Sequence, residues 1–202
     1  MVVEKLTIDN VDYNECAMYL GGRYEDMPDN IIELIKKAEK ELGFHSNPKG
    51  VYKVFDIKKD FSDTVKDRVE LSNTSFILKG CSVYELLKDC SKVVFLCATM
   101  GTETDKFIKI AQIKDMPYAM VADAVAGAMI EAVCDKITDI IKEQYTPSDV
   151  TYRFGLGYGD FPIECEHEFL DILEAEKKIG VCSTNNYLLI PCKSVACIIG
   201  LK

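Results

Sequence analysis

Tryptophan is missing from this chain of 202 residues, so every aromatic contact falls to ten tyrosines and nine phenylalanines. Histidine is almost missing too. His45 and His167 are the only two, and neither stands at a spacing that suggests a Cys–His or Ser–His–Asp arrangement. His167 lies among Glu164, Glu166 and Glu168 and reads as a solvated residue on an acidic face. No C-x-x-C pair occurs among the nine cysteines. The nearest pairs, Cys165-x-His167 and Cys192-x4-Cys197, match no zinc spacing. No metal site and no catalytic residue is therefore expected.

A dense run of Lys or Arg is also lacking. With 33 acidic against 24 basic residues the net charge is −9, a field that repels nucleic acid and anionic membrane. The N-terminus has no basic start followed by a long apolar run, so no signal peptide is expected. An odd number of thiols then fits a reducing cytoplasm, with mostly buried free cysteines. The longest small-apolar stretch near the middle, Ala124 to Ile130, is too short to cross a bilayer. Repeats and low-complexity tracts are absent. What remains is ordinary for a soluble domain: 48% hydrophobic and 28% charged residues, enough chain for one domain or two small ones.

Periodicity supplies the elements. Helices are expected over Asp12–Leu20, Asp29–Leu42 with Gly43 as its cap, Ser82–Cys90, Glu103–Ile113, Met116 to about Glu143, and Ile163–Lys178. Strands are expected over Val51–Asp56, Thr74–Leu78, Lys92–Thr99, Val150–Phe154, Tyr187–Ile190 and Ser194–Ile199, with a charged segment between the first two. The run Val93-Val-Phe-Leu-Cys-Ala98 is apolar at every position and should be covered on both faces. The Met116 helix is crowded with Ala and Gly, which lets other elements approach closely, so it belongs at the centre. The fold expected is α+β: a twisted, largely antiparallel sheet with flanking helices and a long central helix.

Chemistry concentrates in one connection, Arg153-Phe-Gly-Leu-Gly-Tyr-Gly-Asp-Phe-Pro162. Gly155-x-Gly157-x-Gly159 departs from the G-x-G-x-x-G of dinucleotide folds, and too little chain follows for a second βαβ unit. A tight structural turn accounts for the glycines, but it requires neither Arg153 nor Tyr158. At Thr99–Glu103 no phosphate loop is formed. Glu103 and Asp105 read instead as stabilisers of a helix start.

Together with Gly180-Val-Cys-Ser-Thr184, Tyr187-Leu-Leu-Ile-Pro191, Lys193-Ser-Val195 and Phe95-Leu-Cys-Ala-Thr-Met-Gly101, that loop resembles the activation domain of cobalamin-dependent methionine synthase, whose loop reads Arg-x-x-Pro-Gly-Tyr-Pro. The resemblance covers roughly residues 80 to 202. It implies an S-adenosylmethionine-binding core over 81–202, with residues 1–80 a helix and strand region, either a lobe of the same domain or a separate one. It further implies that Arg153 meets the amino-acid carboxylate, that backbone from Gly155, Leu156, Gly157 and Tyr158 approaches the adenine, and that Tyr158 and Tyr187 offer ring faces. Two departures stand out. Leu156 and Gly159 replace the loop prolines, and the acidic residue of the central helix falls at Gly127, with Asp123 or Glu131 as substitutes.

The function so implied is that of a free-standing subunit. It would support reductive remethylation of cobalamin carried by a separate corrinoid-binding methionine synthase polypeptide, with flavodoxin or another low-potential electron donor. No nucleic acid or membrane partner is expected. The alternative is a non-catalytic binding or regulatory protein that recognises a corrinoid protein or another small molecule.

Overall fold

A computed structural model describes residues 1–3, 6–8, 11–58 and 66–202. Its centre is a five-stranded antiparallel sheet in the order β1-β2-β5-β9-β6. The strands are β1 (Val2–Val3), β2 (Lys49–Asp56), β5 (Lys92–Thr99), β6 (Phe154–Gly155) and β9 (Ser194–Leu201). Two hairpins stand apart: β3 (Arg68–Glu70) with β4 (Ile77–Lys79), and β7 (Cys182–Ser183) with β8 (Leu189–Ile190).

The expected double covering of β5 is found. Its side chains alternate between two apolar clusters, one on each face of the sheet. Val94, Leu96 and Ala98 meet α1 (Tyr13–Tyr19), α2 (Asp29–His45), α4 (Thr102–Lys114) and the 30-residue α5 (Met116–Tyr145). Val93, Phe95 and Cys97 meet α3 (Cys81–Leu87), α6 (Glu166–Leu173), α7 (Ala175–Ile179) and the β3–β4 hairpin. Phe95 stacks on Phe169 with ring centroids 4.5 Å apart and takes Phe76 edge-on.

Helix α5 begins where Asp115 accepts a hydrogen bond from Tyr118 N–H, with Pro117 in its first turn. By length and composition alone it is apolar enough to cross a membrane. However, 67% of its most apolar 18-residue window is buried inside the protein, so it serves as the core helix.

Several expected boundaries are corrected. Gly43 does not end α2; the helix runs on to His45, whose ring stacks on Phe107 at 5.0 Å and holds the extra turn. The region expected as one helix over Ile163–Lys178 is a 3-10 turn (Ile163–Cys165), α6 and α7, broken where Glu174 takes φ +54. Val150–Phe154 is not a regular strand. Thr151 uses both its backbone N–H and its side-chain oxygen on Gly200, and only Phe154 and Gly155 join the ladder. The fourth strand lies at Ile77–Lys79, and its partner β3 comes from the charged segment, of which residues 59–65 lie outside the described residues.

Asp160 caps not the helix that follows it but an earlier one. Its carboxylate accepts from Cys81 N–H at 2.6 Å and Ser82 N–H at 2.9 Å, which ties the glycine loop to the start of α3. The Asp105 carboxylate likewise reaches across to Cys192 N–H at 2.8 Å.

Candidate functional site

Beyond Ile198, β9 is flanked by residues 149–154; at its other end, from Ser194 to Cys197, the same edge opens onto a cleft of about 740 Å³. Helix α5 supplies Glu131, Thr138 and Lys142, spaced by seven and four residues and so on one face. The segment before β6 supplies Arg153, the glycine loop supplies Gly155, Leu156 and Tyr158, and the start of α6 supplies Glu166. The volume suits a small-molecule ligand.

Arg153 is the electrostatic centre. Its side chain is 23% exposed, and its two terminal nitrogens take different partners on α5. Nη2 donates to Glu131 at 2.6 Å, and Nη1 donates to Asp135. Burial opposes the charge, but the hydrogen bond to Asp135, the nearby Cys134 and the bond to Glu131 outweigh it and raise the Arg153 pKa. Cys197 lines the cleft and Cys134 is buried close to the guanidinium; burial raises both thiols, Cys197 to about 12, so neither is a nucleophile.

Helix α1 leans over the same cluster. Burial, with the fields of Glu131, Asp12 and Asp135, raises the Glu15 carboxyl against the lowering effect of a hydrogen bond from Tyr19. Glu131, Asp135 and Arg153 together leave one net negative charge, while Lys142 is paired with Asp139 at 3.1 Å.

The glycine loop is built around Tyr158. A Cβ on Gly155 would come within 2.8 Å of the Tyr158 ring, so only glycine lets the ring lie against the backbone there. Gly157 turns the chain with φ +82, and its N–H bonds Phe161 O at 3.0 Å. The Tyr158 ring is 69% exposed and Leu156 is buried in the core beneath it.

Five of the expected residues thus share one cleft: Arg153, Gly155, Leu156, Tyr158 and Glu131. Gly157 shapes the loop but faces Ile163. Tyr187 does not line the cleft; it sits in the β7–β8 turn at φ +58 with its ring 5.4 Å from that of His167. Asp123 is also elsewhere. It pairs with Lys193 at 2.9 Å and lines a separate groove with Tyr19, Met116 and Met120. A Cβ on Gly127 would lie 3.1 Å from the Tyr19 ring, so an acid at that position would require the ring to shift by a few tenths of an ångström.

Asp135, Glu15 and Glu166 were not anticipated. Asp135 was detectable, since Glu131 and Asp135 lie four apart on the central helix. Glu166 was hidden in a run of acids. It is 4% exposed, accepts from Ser183 Oγ and lies in the cleft wall.

A five-stranded antiparallel sheet with a long central helix on one face and a glycine loop at its edge defines an activation-domain type of α+β fold. Among solved structures, the chain is similar to the crystal structure of the MetH reactivation domain bound to AdoHcy. The TM-score is 0.77 and the identity 18%, with 100% of this chain and 78% of the other covered. The chain therefore has the fold of that reactivation domain. No protein-family model matches it, and no curated protein does.

Proposed function

We propose that this chain binds S-adenosylmethionine in the Arg153 cleft and serves, as a free-standing subunit, the reductive remethylation of cobalamin on a separate methionine synthase polypeptide. The carrying observation is the juxtaposition of the Arg153–Glu131–Asp135 cluster with the Gly155–Tyr158 loop in a fold whose solved neighbour was crystallised with AdoHcy. The binding core is residues 81–202, with residues 1–80 a lobe of the same domain.

An amino-acid end carries both charges. Arg153 suits its carboxylate, and Glu131 and Asp135 suit its ammonium group, so a zwitterion can insert into the existing ion cluster. The net negative charge of that cluster also favours a sulfonium cation. Tyr158 presents an exposed ring for the base. The corrin of the partner and the sulfonium of the ligand supply the methyl-transfer chemistry, after one-electron reduction by flavodoxin or an equivalent low-potential donor. This chain's own residues bind and orient. A cytoplasmic setting suits nine free thiols.

One observation favours a second reading, a non-catalytic protein that binds a corrinoid protein or another small molecule: both arms of the Arg153 fork are already taken. The two are separated by reconstitution. The chain is mixed with a methionine synthase that lacks its own reactivation module, an electron donor and methyl-labelled S-adenosylmethionine. Label appearing on cobalamin supports the subunit role. Ligand binding without transfer supports the second reading, and absence of binding contradicts the first.

A further inference from the structure

Glu166 is a carboxylate that the cluster around Arg153 leaves unused. It opens α6, is 4% exposed, and lies in the wall of the cleft. Its one hydrogen-bond donor among the described residues is Ser183 Oγ, and no Lys or Arg there pairs with it. A carboxylate offers about four acceptor positions, one of them filled by Ser183. Neither Glu166 oxygen is sealed in the interior without a partner, so the remaining acceptor capacity is open to the cleft and to donors that enter it.

The ammonium group of an amino-acid end already has Glu131 and Asp135. Neutral donors remain, and two adjacent hydroxyls match the two oxygens of one carboxylate, as acids do for ribose in dinucleotide folds. We infer that Glu166, set by Ser183, receives the ribose hydroxyls of a nucleoside ligand, between a base resting on Tyr158 and an amino-acid end held at Arg153. This rests on the S-adenosyl reading above and adds its sugar-recognising residue.

The test is a two-by-two titration calorimetry experiment on the full chain: S-adenosylhomocysteine and its 2′-deoxy analogue against wild type and Glu166→Gln. Wild type should lose about tenfold in affinity for the deoxy ligand. In Glu166→Gln that gap should shrink to less than about threefold, a change that a purely structural role would not produce. Ser183→Ala, a milder change in the same pair, should also narrow the gap and decides the matter if Glu166→Gln fails to fold. Equal affinity of wild type for both ligands, or a gap that survives the variants, overturns the assignment and leaves the S-adenosyl reading standing. Failure of wild type to bind S-adenosylhomocysteine at all removes both.

Discussion

Glu131 and Asp135 hold the same guanidinium, yet they should differ sharply in what they contribute to stability. The side chains of Arg153 and Glu131 are 23% and 29% exposed, whereas that of Asp135 is 68% exposed. A hydrogen bond to a charged partner contributes about 1.5–3 kcal/mol when shielded, and a neutral one about 0.5–1.5 kcal/mol. Glutamine at 131 keeps a neutral acceptor, so Glu131→Gln forfeits about 1–1.5 kcal/mol. Removing one of two like charges four residues apart returns about 0.2–0.5 kcal/mol. The net loss is about 1 kcal/mol, a fall in Tm of about 2–4 °C for a chain of this size. Asp135→Asn gives up an exposed pair of about 0.2–1 kcal/mol, less the same relief, and should be close to neutral. Urea denaturation of the ligand-free protein, followed by circular dichroism, measures both. If Asp135→Asn costs as much as Glu131→Gln, the claim that burial grades these two contacts is wrong.

Gly155→Ala should weaken S-adenosylhomocysteine binding by about tenfold or more while moving Tm by only a degree or two, because the clash falls on the exposed Tyr158 ring. Calorimetry and thermal melting of the same sample check this; a large stability loss would show that the ring is not free to move. At low pH the cap on α3 should fail. Hydrogen bonds from the Ser82 side chain, then from the Ser82 and Cys81 backbone, lower the Asp160 pKa. Its stabilisation is therefore present above the unfolded carboxylate value, about 3.9, and is lost as pH falls through the lower folded value. Urea titrations between about pH 6 and pH 2 should show Asp160→Ala with a shallower acid limb than wild type, and parallel limbs would contradict the cap.

How much of this was legible in the sequence depends on how local each cause is. The apolar run of β5, the start of α5 at Met116 and the small residues of that helix act through their own neighbours and are found where the pattern places them. The break at Glu174 is not, because a glutamate at positive φ carries no local signal. Gly43 gave a misleading one, since the contact between His45 and Phe107 overrides its tendency to stop a helix. The loop was visible as Arg153 among glycines, but its long-range partners were not. Asp160 reaches 78 residues back to Ser82, and Glu166 turns inward from an acidic run whose members otherwise suggest a wet helix face. The close approach of the Tyr19 ring to Gly127 is likewise a long-range contact that no local pattern announces.

The proposed function requires the Arg153 cleft to be a site for an S-adenosyl ligand. Titration calorimetry of the intact chain with S-adenosylmethionine, beside Arg153→Ala, addresses that directly. Saturable binding by wild type, weakened by about 1.5–3 kcal/mol in Arg153→Ala, is the expected result. No heat of binding with wild type, or equal affinity in a folded Arg153→Ala, would contradict it.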